Sequence, residues 1–313
     1  MNAVKPLPQV VAFGGGHGLS ASLAALRRVT DRLTAVVTVA DDGGSSGRLR
    51  QEFDCLPPGD LRMALAALCS DDQAGRSWAN VLQARYRGTG PLAGHAIGNL
   101  LIAGLWQQFP DPVEGLDMVG DLLRTRGRVL PMSSVPLEIE ADVLGLDPME
   151  PDEVCTLSGQ STVAKTMATV QAVRLVPERP PARPEAVAAV EEADAIVLGP
   201  GSWFTSVIPH LLVPELADAI RRTAATRILV LNIASAAETD GFTASRHIEL
   251  LAEHAPQLRL DKVIVDPQFA DRHLEGFVAA LGGEVVAADV RARDGSATHD
   301  VNRLASVFSE VIG

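Results

Sequence analysis

The sequence predicts an α/β protein built on a doubly wound, mostly parallel, Rossmann-like sheet. Three observations predict it. Short apolar runs recur along the chain, and the leading ones end in glycine or aspartate just before a helix start. Between them lie segments with apolar residues at helical spacing. Several runs are apolar nearly throughout, which marks strands buried on both faces of a parallel sheet.

Residues 10–13 form the first strand and lead into Gly14-Gly15-Gly16-His17-Gly18, after which residues 19–29 place Leu19, Leu23 and Leu26 on one helix face. Residues 33–40 are the next strand, a central one, ending in Asp41-Asp42. Pro57-Pro58-Gly59-Asp60 is a turn that starts a helix over 61–69. Gly94-His95-Ala96-Ile97-Gly98-Asn99 leads into an apolar helix ending near 106. Residues 129–144 include Leu137, Ile139, Ala141 and Val143 alternating with Glu138, Glu140 and Asp142, a strand with one wet face. Residues 170–175 can pair with it. The stretch from about 126 to 184, with its proline-rich end, is expected to be a small antiparallel insertion or cap within a single domain spanning 1–313.

Alternation then resumes. Strands are expected at 195–198, 228–233, 262–265 and 284–287, with helices starting at 207 and covering 217–223, 243–253 and 302–311.

The chain has 313 residues, 47% hydrophobic and 21% charged, enough for a substantial core. A formal net charge of -12 argues against nucleic acid or an anionic membrane as partner. The apolar run at 97–106 is too short to span a bilayer. Cys55, Cys69 and Cys155 lack metal-type spacing and read as reduced thiols. With no export signal at the start of the sequence, the expected location is the cytoplasm.

A strand that ends in glycines and opens a helix presents backbone N–H groups and a positive dipole end, so Gly15, Gly16, His17 and Gly18 are candidate phosphate contacts. Asp41 and Asp42 stand where a sugar hydroxyl or a metal would be held. Two adjacent carboxylates repel, and a cation or hydroxyl donors would relieve them. Gly43 permits close approach, Ser45 and Ser46 can donate to phosphate oxygens, and Arg48 can bind one bidentately. Asp60 and Arg62 extend this polar cluster, and Asn99 is either a helix cap or a ligand contact. Gly201, Ser202 and Thr205 repeat the same strand-end chemistry in the second half. Trp203 and Phe204 read as packing or dimer residues, and His247 and His254 as one solvated helix face. No acid–base pair or nucleophile signature identifies a catalytic residue.

The motifs GGGHGLSASL (14–23), TVADDGGSSGRLR (38–50), PPGDLRMALAAL (57–68), GHAIGNLLIAGL (94–105) and LGPGSWFTSVIPHLL (198–212) carry a resemblance. The chain resembles the YvcK-type gluconeogenesis factors in an actinobacterial-looking form, and more remotely the CofD-type 2-phospho-L-lactate transferases. The resemblance implies a CofD-like three-layer α/β/α fold and binding of UDP-sugars, notably UDP-N-acetylglucosamine. It also implies a regulatory role in cell-wall synthesis and cell shape during growth on gluconeogenic carbon. In this reading Gly15, Gly16, Gly18, Gly201 and Ser202 hold the diphosphate, and Asp41 or Asp42 holds ribose or sugar hydroxyls. A homodimer is expected, with the insertion and the Trp203-Phe204 pair supplying an apolar patch. In the transferase alternative, Asp41, Asp42 and Asp60 hold magnesium and a phosphoryl-linked group is transferred. The chain departs from the family pattern at His17, Met63, Phe204 and the stretch 234–237, while Glu238 and Thr239 are kept.

Overall fold

Every residue of β1 (Val10–Gly14) is buried, as a strand covered by helices on both faces requires. The computed structural model describes residues 6–234 and 237–313. Chain order continues with β2 (Leu33–Val37), β3 (Arg128–Pro131), β4 (Glu138–Leu144), β5 (Cys155–Ser158) and β6 (Thr169–Val176). It ends with β7 (Ala195–Leu198), β8 (Thr226–Val230), β9 (Lys262–Val265) and β10 (Glu284–Ala287). Seven strands form one sheet in the order β10-β9-β8-β7-β1-β2-β3, every pair parallel. The sheet grows away from β1 in both directions, so its topological switch point lies between β1 and β7. A crevice opens there at the carboxyl ends of the strands.

The helices are α1 (Gly16–Leu26), α2 (Gly44–Phe53), α3 (Pro58–Leu68), α4 (Gln73–Gln83), α5 (Ile97–Trp106), α6 (Pro112–Leu123) and α7 (Gln160–Val163). They continue as α8 (Pro184–Glu191), α9 (Ile208–Leu211), α10 (Pro214–Arg222), α11 (Ala244–His254), α12 (Arg272–Ala280) and α13 (Val301–Ile312). Right-handed crossovers send β1-to-β3 connections to one face and β7-to-β10 connections to the other. Accordingly α1 packs on α3 and α13, while α10 packs on α8 and α9. The result is a three-layer α/β/α fold. No described helix is long and apolar enough to cross a membrane.

A second sheet, β5-β4-β6, is antiparallel. Its strand β4 alternates as expected, with Ile139, Ala141 and Val143 buried. The expected strand over 129–144 is in fact two. Arg128–Pro131 joins the main sheet beside β2, and the chain then turns out to begin β4. The antiparallel unit therefore occupies 138–176, narrower than the expected 126–184.

Ser45 and Ser46 lie in the first turn of α2. Two further expectations are corrected. Trp203 and Phe204 are buried at 1% and 0% exposure inside a π-helical turn, Trp203–Val207, so they supply no surface patch for a dimer. The face of α11 bearing His247 and His254 is packed, not solvated: His247 is buried against Trp203, and His254 Nε2 accepts from the Val173 N–H at 3.3 Å.

Candidate functional site

Four helices begin at the same place. Each of α1, α2, α3 and α5 starts without a side-chain cap, and their first turns touch. A Cβ on Gly15, the residue before α1, would run into the Asp60 carboxylate of α3 and would lie 2.6 Å from Thr38 Oγ1. A Cβ on Gly59 of α3 would run into Ser46 Oγ of α2 and would lie 2.7 Å from Asp41 Oδ2. Asn99 Nδ2 of α5 donates to Ser45 Oγ of α2 at 3.0 Å. Glycine at 15 and 59 is what permits the helices to meet so closely. Uncapped N–H groups and aligned dipoles thus concentrate positive potential at one mouth.

Carboxylates answer that potential. Asp60 accepts from Thr38 Oγ1 at 3.1 Å and from the Gly16 N–H, so it occupies the start of α1 as an internal anion. Burial, and then repulsion from Asp41, push its pKa up to about 6 against the pull of Thr38, Gly16 and Arg62. Arg62 donates through Nε to Asn99 Oδ1 at 2.8 Å and through Nη1 to Gln83. Burial and Arg85 draw that guanidinium down to about 10, and it stays charged at neutral pH.

Asp41 and Asp42 part company. Asp41 Oδ1 accepts from the Gly43 N–H at 3.0 Å, and its other oxygen faces Gly59. Asp42 Oδ1 accepts from the Ser161 N–H at 2.9 Å, and a Cβ on Gly159 would run into its Oδ2. Residues 159–161 of the antiparallel insertion therefore cap the aspartate loop. Asp41, Asp42 and Asp60 are not gathered around one point. Among the described residues no group of three His, Cys, Asp or Glu is placed to hold a metal ion. The three-aspartate magnesium set does not fit; two carboxylates remain together, a number that serves magnesium only alongside substrate phosphates and water.

Ser45 is committed. Its Oγ accepts from Asn99 Nδ2 and, at 3.4 Å, from the Ala96 N–H, so its own proton goes to His95 Nδ1 at 2.9 Å. Burial and the nearby Arg48 lower the His95 pKa, consistent with a neutral acceptor ring. Arg48 donates to the Pro91 and Ala93 carbonyls at 3.2 and 2.9 Å. Ser45 and Arg48 thus hold the segment before α5, and the Ser46 hydroxyl lies deeper, at 2% exposure.

The opposite wall is the loop 199–202. A Cβ on Gly18 would run into the Pro200 carbonyl oxygen and would lie 2.6 Å from Gly201 Cα, so α1 and this loop are in backbone contact. His17 stays exposed on α1. Gly201 is held at both ends by Asn232: its N–H donates to Oδ1 at 2.9 Å and its carbonyl accepts from Nδ2 at 2.8 Å. Ser202 Oγ bonds Thr205 Oγ1 and donates to Glu238 Oε1 at 2.5 Å. Glu238 is buried, which raises its pKa, and its Oε2 has no hydrogen-bond partner among the described residues.

The cluster brings together Gly15, Gly16, Asp41, Ser46, Asp60 and Asn99, and across the crevice Gly18, Gly201, Ser202 and Thr205. Residue-by-residue reading missed Thr38, His95, Ser161 and Glu238. His95 lies inside the GHAIGN motif and Glu238 in the kept Glu-Thr pair, so both had a signal. Ser161 had none, because its role depends on how the insertion folds back. Of the divergent stretch 234–237, Ser235 and Ala236 lie outside the described residues.

The family described as 2-phospho-L-lactate transferase CofD matches residues 10–303. A Mycobacterium tuberculosis protein named "Putative gluconeogenesis factor" is 54% identical over 308 residues, covering 96% of this chain and 90% of that one. A Listeria monocytogenes protein named "Gluconeogenesis factor" is 38% identical over 268 residues, covering 85% and 80% respectively. A crystal structure of a UPF0052 family member from Bacillus halodurans superposes with a TM-score of 0.84 at 31% identity, covering 97% of this chain and 99% of that one.

Proposed function

This chain belongs to the CofD family, in its gluconeogenesis-factor branch, and we propose that its crevice binds a UDP-sugar, UDP-N-acetylglucosamine above all, as a regulatory ligand that is not turned over. The observation that carries the reading is the meeting of four uncapped helix N-termini beside a glycine loop at the switch point of the sheet. A diphosphate suits that place: the backbone N–H groups of the first turns and of loop 199–202 donate, and the dipoles favour negative charge. Asp41 then accepts from ribose or sugar hydroxyls. The role that follows is support of cell-wall synthesis and cell shape during gluconeogenic growth, exerted from the cytoplasm.

Isothermal titration tests this directly. UDP-N-acetylglucosamine is expected to bind with and without magnesium and to be recovered intact. Guanosine diphosphate, used as comparator, is expected to bind more weakly. A preference for the guanine nucleotide that appears only with magnesium would move the reading to a CofD-type group transferase.

A further inference from the structure

The antiparallel insertion reaches both walls of the crevice. Gly159 N–H donates to the Ile139 carbonyl of β4 at 2.9 Å, which fixes where the segment 159–163 leaves its sheet. Gly159 itself has φ +95°, a left-handed conformation that favours glycine. The turn carries Ser161 onto the aspartate loop and sets α7 against Trp203–Val207, which continues the opposite wall. Val163, fully buried, anchors α7, and the bond from Val173 N–H to His254 ties β6 to α11. The segment is therefore held in place before any ligand arrives. Ser161 is the polar group it delivers. The Ser161 N–H is taken by Asp42 Oδ1 at 2.9 Å, and the hydroxyl has no hydrogen-bond partner among the described residues. The hydroxyls of Ser45 and Ser202, by contrast, are spent on His95 and Glu238. Ser161 is partly exposed. Its Oγ lies 2.6 Å, and Asp41 Oδ1 3.4 Å, from the point a Cβ on Gly43 would take. Hydroxyl and carboxylate thus stand together over the bare backbone that precedes α2. A carboxylate only accepts, whereas a hydroxyl donates and accepts. Together they suit a sugar, whose hydroxyls need an acceptor and whose ring and amide oxygens need a donor.

We propose that the insertion segment 159–161 is the wall that reads the sugar of the bound nucleotide, with the Ser161 hydroxyl bonding the sugar beside Asp41. The proposal rests on the UDP-sugar reading and adds what that reading leaves open: which element tells a nucleotide-sugar from the bare nucleotide. The groups assigned to the diphosphate, in the first turns of the helices and in loop 199–202, all belong to the α/β body. None comes from the insertion. Recognition of the phosphates and of the sugar is therefore divided between two parts of the chain, and one can be altered without the other.

The test uses the full chain and its Ser161→Ala variant, each titrated with UDP-N-acetylglucosamine and with UDP. Alanine keeps the N–H that Asp42 accepts and removes only a partly exposed hydroxyl, so the fold and the aspartate loop are preserved. The parent is expected to bind UDP-N-acetylglucosamine more tightly than UDP. Ser161→Ala is expected to weaken UDP-N-acetylglucosamine about three- to tenfold, the range a single hydrogen bond supplies, while UDP binds as before. An equal loss for both ligands would make Ser161 a support of the aspartate loop and nothing more. Unaltered affinity for UDP-N-acetylglucosamine would take its hydroxyl out of the site. Either result would overturn the sugar wall while the UDP-sugar reading stood. Failure of the parent to bind UDP-N-acetylglucosamine at all would remove both.

Discussion

Asp60 sits where a ligand's phosphate was expected, bonded to the first N–H of α1, and its charge is the least comfortable in the crevice. Its pKa rises from 3.8 to about 6. Between those values the native protein holds a proton that the unfolded chain has released. The stability Asp60 lends is therefore full below about pH 3.8 and is lost as pH climbs through 6. Asp60→Asn keeps an oxygen for Gly16, turns a donor toward Asp41 and never ionises. It is expected to melt about 2 to 4 °C above the parent at pH 8 and level with it near pH 3.5, read by calorimetry. An equal advantage at both pH values would show that the buried charge is not the cause. The neighbouring pair Asp41-Asp42 teaches a related lesson. Their mutual repulsion was legible from adjacency alone, and a cation was one remedy. In the structure Asp41 turns toward Gly59 and Asp42 toward the Ser161 N–H. That choice depends on an insertion more than a hundred residues downstream, which no local pattern reveals.

At the scale of elements, the strongest constraint is the contact of α1 with loop 199–202. Gly18 has an ordinary helical place, yet a Cβ there meets backbone on the other element and not a side chain that could swing away. Gly18→Ala is expected to force the two apart, costing about 1 to 3 kcal/mol in denaturant unfolding and weakening UDP-sugar binding by at least tenfold. Unchanged stability would mean the loop shifts freely. The elements nearest this contact were the most legible: β1 and β7 are uniformly apolar, β2 is apolar but for Thr34, and all three end in glycine or polar loops. Others went unread for physical reasons that differ. Helix α4 has Trp78, Val81 and Leu82 at helical spacing but buries only Gly75 and Leu82, leaving Trp78 and Val81 at the surface, so its apolar residues do not mark a core face. Helix α6 carries a clear one, Val113, Leu116, Val119 and Leu123, with Asp111 as cap and proline first, and could have been found. His247 and His254 share a helix face as their spacing required; what the spacing did not disclose is that this face meets Trp203 and β6.

For the molecule as a whole, acid is the expected weakness. His210 is fully buried, edge-on to Phe13 at 5.4 Å, with Nε2 at 3.1 Å from the Val36 carbonyl. His299 is likewise buried, with Nε2 near the Leu231 carbonyl at 3.2 Å. Burial, the largest cause in each, drives both pKa values from 6.5 to about 4. Below pH 6.5 the unfolded chain takes up protons that the native state refuses. Their stabilising contribution is thus complete above that value and is lost as pH falls toward 4, opposite in sign to Asp60 and twofold in number. The melting temperature is expected to fall between pH 7 and 5. His210→Gln, which keeps a donor for Val36 but does not titrate, is expected to remove about half of that fall. An undiminished slope would place the acid sensitivity elsewhere.

The switch point between β1 and β7 also sets a timetable. Val10 pairs with Ala195, so one long edge of the first strand has no partner until the second half of the chain has left the ribosome. At ordinary rates of translation that interval lasts about 10 to 40 s. Throughout it the nascent protein carries the unpaired backbone edge of an apolar strand, the kind of surface that chaperones cover and aggregates recruit. Ligand cannot hasten the step, because loop 199–202 arrives with the missing strand. The crevice is therefore completed late and all at once, only after residues 199–202 have emerged.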